Sequence, residues 1–432
     1  MNYFRYSGDT LACEDVGIEQ LAQKYGTPLY VYSLGTIKRH YRVFDRAFEG
    51  IDHLVCYAIK ANPTLALVYL LAKMGAGADI VSKGELFLAL KAGIPAERIV
   101  FSGVGKTPEE IKDALDVGIL MFNVESLSEL EVISDVAGRL GKKAPVSFRV
   151  NPDVDPKTHP YVATGLKTNK FGIPMGSALE AYKRAMELPS LEIVGIDCHI
   201  GSQLINLGPI KEAMLRLKAL MNELKALGTK LRYLDVGGGL GIRYDQEEPP
   251  EPSTYAETIQ AALRGIESKE SAKQTLILEP GRVIVGNAGV LVTRVLYTKS
   301  QEGRRFVVVD AGMNDLIRPA LYGSFQRIEK VKKTGAPVQK ADIVGPVCES
   351  GDFFAKDREI EGVREGDLLA IFGAGAYGIA MASNYNMRPK PAQVGVLGKD
   401  EALLSKRQTL EELIQDEVVP MALLEEREGV QP

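Results

Sequence analysis

The sequence predicts an α/β chain: a (β/α)8 barrel of the TIM type joined to a second, mainly antiparallel β domain. Three observations carry that prediction. Between residues 36 and 282, short runs that are apolar throughout alternate with longer amphipathic ones. Short runs without polar alternation are the pattern of parallel strands buried on both faces. Eight such runs occur, at 54–59, 79–82, 99–102, 120–124, 146–150, 193–199, 233–236 and 276–279. Eight equivalent strand–helix units favour a closed barrel over a doubly wound open sheet. After residue 283 the alternation stops, and strand-like runs at 289–296, 305–309, 343–348 and 368–372 are separated by turn-rich stretches. Successive strands without crossover helices read as antiparallel.

The intervening elements follow the same logic. In 107–117, Thr107 supplies an N-cap, Pro108 a first-turn proline and Glu110 the reciprocal acid of a capping box. In 209–227, apolar residues recur at helical spacing and Gly228 supplies the stop. The first 35 residues contain the apolar run 29–32, which suits the β domain, so the expected division is 36–282 against 1–35 together with 283–432. The charged tail 401–432 reads as a terminal helix with a frayed end.

Bulk properties narrow the function. With 432 residues, 45% hydrophobic and 25% charged, the chain can bury a large core without staples. A net charge of -4 argues against a nucleic-acid partner or an anionic membrane surface. The longest apolar stretch, near 65–72, is too short to span a bilayer. The polar start MNYFRYSGDTLACED has no signal-peptide core. The four cysteines, Cys13, Cys56, Cys198 and Cys348, form no C-x-x-C pair, which fits a reducing, cytoplasmic setting. The four histidines, His40, His53, His159 and His199, show no ligand spacing, so no metal site is expected.

The unusual residues fall at strand ends. Lys60 follows the first strand, His199 closes the sixth, Gly237, Gly238 and Gly239 follow the seventh, and Glu279, Pro280, Gly281 and Arg282 close the eighth. In a barrel enzyme the carboxyl ends of the strands form one face, and the active site lies there. A lysine at such a point is desolvated, which lowers its pKa and favours a free amine able to form a Schiff base. By itself, Lys60 reads more readily as a surface lysine that starts a loop. Adjacent glycines let backbone N–H groups approach an anion, or simply make a tight turn. Ser202 offers a hydroxyl to the same anion. Glu279 suits a cationic ring nitrogen or an ion pair with Arg282, and Arg282 suits a substrate carboxylate. His199 is either a core histidine or one that stacks on a flat ring. The G-x-G-x-x-G match at Gly373, Gly375 and Gly378 lies in the β domain with no room for a following helix and strand, so a dinucleotide site is rejected.

Taken together, YAIKAN, CHIGSQ, DVGGGLG, EPGR, MNDLIRPALYG, CESGD and GAYGIAMASNYN resemble the diaminopimelate decarboxylase family. That family belongs to the barrel-type pyridoxal 5'-phosphate (PLP) decarboxylases, which share the alanine-racemase-like fold and include ornithine and arginine decarboxylases. The seven motifs run in the family's order from about residue 30 to residue 390.

The resemblance implies roles. Lys60 matches the lysine bonded to PLP, and His199 the histidine stacked on its ring. Ser202 and Gly239 match phosphate-loop residues, and Glu279, Pro280, Gly281 and Arg282 the segment holding ring and phosphate. Arg282, Arg318, Tyr322 and Glu349 match substrate-binding positions, and Tyr377 a tyrosine near cofactor and substrate. Cys348 matches the general acid donated by a neighbouring subunit, which implies a homodimer with shared sites. Asp79 matches an acid near the cofactor lysine. The implied reaction is decarboxylation of meso-2,6-diaminopimelate to L-lysine and CO2, the last step of lysine biosynthesis. Decarboxylation of ornithine, arginine or carboxynorspermidine, racemisation, and non-catalytic PLP binding stand as alternatives. Val347 precedes Cys348 where ornithine-type enzymes commonly carry tryptophan, and the chain has no tryptophan.

Overall fold

The computed structural model describes residues 2–155, 165, 169–264 and 274–425; His159 and the chain end beyond 425 lie outside them. Eight strands, His53–Ala58, Gly77–Ile80, Ile99–Phe101, Met121–Val124, Ala144–Asn151, Leu191–Asp197, Tyr233–Asp235 and Thr275–Leu278, form a parallel barrel. Each pairs with the next in sequence, and the eighth returns to the first through Leu276 against His53. All eight expected strands are present, displaced at their ends by one or two residues.

The barrel interior is layered by the two-residue period of a strand. Leu54, Cys56, Val100, Met121, Val194 and Ile277 form a separate apolar cluster. One period further toward the carboxyl ends, Ser102, Asn123 and Glu279 replace Val100, Met121 and Ile277, and all three are buried. The barrel therefore changes from apolar to polar along its axis.

The surrounding helices have the expected punctuation. Pro108–Val117 carries the Thr107–Glu110 capping box. Gly208–Ala226 runs into Gly228, whose φ of +85° ends it in a conformation that favours glycine.

A second sheet runs in the order Phe353–Glu361, Val338–Val344, Arg304–Val309, Gly289–Gln301, Leu29–Ser33, Ala392–Leu397 and Asp400–Ser405. Leu368–Phe372 also pairs with Gly289–Gln301. Two pairings are parallel, Arg304–Val309 with Val338–Val344 and Leu29–Ser33 with Ala392–Leu397. A small sheet, Phe4–Ser7, Thr10–Cys13 and Val16–Gly17, precedes it.

Two expectations need correction. The strand expected at 343–348 ends at Val344, because Pro346 has no N–H to donate and the chain turns there. Cys348 consequently sits in a turn. The tail expected to be helical begins as the strand Asp400–Ser405, whose backbone groups are satisfied by Ala392–Leu397. Short helices, Leu410–Ile414 and Met421–Glu425, follow. Among the described residues no helix is long and apolar enough to cross a membrane.

Candidate active site

A cleft opens at the carboxyl ends of the barrel strands. Lys60, His199, Ser202, Gly239, Glu279, Pro280, Gly281, Arg282 and Tyr377 all line it. Residues from the first, sixth, seventh and eighth strand ends meet there, and Tyr377 arrives from the second sheet. Tyr377 is docked by its N–H donating to the Ala61 carbonyl at 2.7 Å.

Lys60 lies in the short turn Ile59–Ala61 after the first strand, and its Nζ is ion-paired with Asp79 from the second strand. Burial pulls the Lys60 pKa down, as expected from its position, but Asp79 and Glu279 outweigh burial and raise it overall. The expectation of a free amine from desolvation is thereby corrected: Lys60 is an ammonium here. Asp79 is fully buried, and its second oxygen has no hydrogen-bond partner among the described residues.

Glu279 belongs to an acid-rich layer with Asp79, Asp197 and Asp235. Burial first, then its acidic neighbours, pushes the Glu279 carboxyl well above its ordinary range. Asp197 rises for the same reasons, and Asp235 is pushed up to about 8. Asn123 donates to Asp235 at 3.1 Å and, together with Ser102, approaches Glu279. Arg149 is the buried cation of this layer; it donates to Glu125 at 2.9 Å and to the His199 carbonyl at 3.4 Å.

The glycine run after the seventh strand packs directly on His199. A Cβ on Gly237 would lie 2.6 Å from His199 Nδ1, and Gly237 has φ +64°. The Gly238 N–H donates to His199 Nδ1 at 3.2 Å, so that nitrogen is the unprotonated one. Burial, Arg149 and Lys60 depress the His199 pKa well below its ordinary value, so the ring is neutral. A Cβ on Gly238 would meet the Glu279 carbonyl, and one on Gly239 the Gly201 carbonyl. Only glycine fits at these positions, which leaves a bare backbone wall facing the cleft.

Arg282 opens the short helix Arg282–Val285. It donates to Ser202 Oγ from Nε and Nη2, at 3.3 and 3.2 Å, and to Tyr244 Oη from Nη1 at 2.7 Å. Arg318 and Tyr322 bound a second short helix. The Arg318 guanidinium lies over the rings of Tyr244 and Tyr322 at 5.2 and 5.7 Å. Both arginines are buried, and among the described residues neither has a carboxylate at ion-pair distance.

Cys348 and Glu349 do not line the cleft in this chain. Cys348 is exposed, and its N–H donates to Asn386 Oδ1 at 3.0 Å. Asp352 ties its segment down, accepting from the N–H groups of Val347 and Met313 at 2.7 and 2.6 Å. Asp352 thereby joins CESGD to the segment leading to Arg318.

Sequence reasoning missed Tyr244, Arg149, Asp197 and Asp235. For the last three a signal existed, since each is a charged residue in or beside an otherwise apolar strand and must find a partner there. Tyr244 has no such signal, because it lies in a loop.

Comparisons with known proteins agree with this geometry. Residues 34–286 match the family model described as pyridoxal-dependent decarboxylase, pyridoxal binding domain. The chain is 50% identical over 414 residues to a diaminopimelate decarboxylase of Aquifex aeolicus, covering 96% of this chain and 97% of the relative. It is 51% identical to the one from Vibrio cholerae, covering 96% and 98%. A crystal structure of diaminopimelate decarboxylase from Helicobacter pylori with L-lysine superposes with a TM-score of 0.88 at 45% identity, covering 95% of this chain and all of that one. The enzyme from M. jannaschii in co-complex with L-lysine gives 0.92 at 41% identity, covering 97% and 98%. The chain belongs to the diaminopimelate decarboxylase family of pyridoxal-dependent decarboxylases.

Proposed function

We propose that the chain decarboxylates meso-2,6-diaminopimelate to L-lysine and CO2 with pyridoxal 5'-phosphate as cofactor. The observation that carries this reading is the gathering of Lys60, the bare glycine wall, Glu279 and Arg282 around one cleft.

The residues present fit the cofactor. Lys60 is the amine that would hold its aldehyde carbon. The backbone around Gly238 and Gly239, with Ser202 and Arg282, would receive its phosphate. Glu279 is a carboxyl deprived of solvent and of a full cationic partner, so a protonated ring nitrogen would return it to its ionised form. His199, neutral and held by Gly238, presents a flat face to the ring. Bound PLP supplies an electron sink for the pair left behind when CO2 departs.

The chain's own residues do the rest. Arg282 and Arg318 are two buried guanidiniums without carboxylate partners among the described residues, and they suit the carboxylate at the substrate's non-reacting end. Glu349 suits the ammonium beside it. The barrel wall and Tyr377 keep water from the reacting carbon. One proton must replace the lost CO2, and a thiol has suitable acidity to deliver it. Cys348 is exposed and absent from its own cleft, which suits donation of Cys348 of the partner subunit to that carbon. The active unit is then a homodimer in a cytoplasmic setting. Residues 36–282 hold the cofactor, and 1–35 with 283–432 complete the site and the dimer.

The test is CO2 release from meso-diaminopimelate with added PLP, against ornithine, arginine and carboxynorspermidine. Preference for ornithine overturns the substrate assignment. Mixing Lys60→Ala with Cys348→Ala subunits, each inactive, should restore one intact site per heterodimer. Confirmed mixing without recovery overturns the shared site.

A further inference from the structure

Tyr244 connects the two arginines assigned above to the substrate's far carboxylate. Its hydroxyl accepts from Arg282 Nη1 at 2.7 Å, while its ring lies 5.2 Å under the Arg318 guanidinium. It touches both, and it brings no negative charge to either. The two cations thus stay side by side and uncompensated. Arg318 is only 6% exposed, and its Nε has no hydrogen-bond partner among the described residues.

Tyr244 is itself fixed from three directions. Gln203 accepts from the Ile242 N–H at 3.1 Å and donates back to the Ile242 carbonyl, which sets the loop two residues earlier. Glu247 accepts from the Tyr244 N–H at 3.1 Å and from the Asp245 N–H at 2.7 Å. Behind the ring lies Gly373, where a Cβ would sit 3.0 Å from two ring carbons. The first glycine of the rejected dinucleotide motif therefore has a role: it leaves room for Tyr244.

We propose that Tyr244 is a positioning residue that holds Arg282 and Arg318 together as a receptor for the carboxylate at the non-reacting end of the substrate, and so excludes substrates ending in a bare amine. A hydroxyl accepts one guanidinium N–H and a ring face attracts the other cation without neutralising it. An aspartate in the same place would fill the receptor with its own charge. This rests on the substrate reading given above.

The experiment uses PLP-loaded enzyme and two probes. The end of the substrate that is not decarboxylated survives in L-lysine, which carries the distal carboxylate; cadaverine lacks it. Calorimetric titration should show that the wild type prefers L-lysine. Tyr244→Phe keeps the ring and removes the acceptor, and should weaken L-lysine about 10- to 150-fold, the size of one charged hydrogen bond, while leaving cadaverine unchanged. Tyr244→Leu should weaken it further. In turnover, KM for diaminopimelate should rise by the same factor with kcat within about threefold. Gly373→Ala, which strains the backbone at φ +68° and pushes the ring while removing no site group, should move the probes in the same direction. Equal weakening of both probes, a fall in kcat at constant KM, or no effect of either tyrosine substitution overturns the proposal. A wild type that does not distinguish the probes overturns the distal-carboxylate reading, and the proposal with it.

Discussion

Gly237→Ala tests whether the glycine run is a cradle or only a turn, and Gly228→Ala is its control. Both glycines have positive φ, +64° and +85°, so an alanine costs about 1–2 kcal/mol of backbone strain at either. Around Gly228 nothing lies within 4 Å of an added Cβ, so the strain is the whole effect. At Gly237 the Cβ would lie 2.6 Å from His199 Nδ1 and 2.9 Å from His199 Cβ. The ring cannot yield by a small rotation, because its own Cβ is in the way as well. Overpacking of this kind costs about 1–3 kcal/mol, and losing the Gly238 N–H bond to His199 adds about 0.5–1.5 kcal/mol. If half of that difference falls on cofactor binding, PLP affinity drops roughly 4- to 40-fold. Thermal unfolding and PLP titration of both variants give the answer. For a chain of 432 residues each kcal/mol moves Tm by about 1 °C, so Gly228→Ala should melt about 1–2 °C low and Gly237→Ala about 3–7 °C low. A Gly237→Ala enzyme that binds PLP like the wild type and melts with Gly228→Ala refutes the cradle.

Three further outcomes follow from the same contacts. Asp235 holds its proton up to about 8 in the fold, against an ordinary value of 3.8, so the folded state binds more protons between those limits and stability falls as pH rises through them. Asp235→Asn should flatten that decline, and denaturant midpoints at pH 5 and pH 8 that change as in the wild type would contradict it. Glu125→Gln leaves Arg149 buried without its charge partner and should cost about 3–5 kcal/mol in urea unfolding; a loss below about 1 kcal/mol, the range of an exposed pair, counts against it. Asp352→Ala frees the Val347 and Met313 N–H groups and should lower kcat while PLP affinity holds; a lowered PLP affinity with normal kcat would show that the segment does not serve Cys348.

The barrel was legible because strands buried on both faces lose their polar alternation. Residues 54–59 and 276–279 announced themselves by composition alone, and parallel pairing then dictated which ends share a face. The site was legible to the same depth, as position on that face. What escaped was whatever depends on a partner distant in sequence. Lys60 looked desolvated because its neighbours are apolar, but Asp79 and Glu279 come from the second and eighth strands and reverse the sign. The cost of a buried carboxylate that singles out Glu279 holds equally for Asp197 and Asp235, which the sequence reading passes over although all three are buried. Cys348 was placed in a strand because Val344 and Val347 flank Pro346, and the proline's missing N–H decided otherwise. Tyr244 carries no mark in the sequence, because its place is defined by two arginines distant along the chain, Arg282 and Arg318.

The strand Leu29–Ser33 lies between Gly289–Gln301 and Ala392–Leu397 in the second sheet. Leu29–Ser33 thus leaves the ribosome long before Ala392–Leu397 and waits for it before its second edge is covered. Pairings across so many residues form slowly, and an uncovered edge is open to wrong partners in the interval. The barrel strands are complete by Leu278, so the barrel can close while the sheet that carries Tyr377 is still half-made. A nascent chain stalled before residue 392 should show a protease-resistant barrel, with Leu29–Ser33 still cleavable; resistance of that strand at the same stall would disprove this order. Cofactor capture and catalytic competence would then be separate events in the birth of the enzyme, with the second reserved for chains in which Ala392–Leu397 has been made and paired.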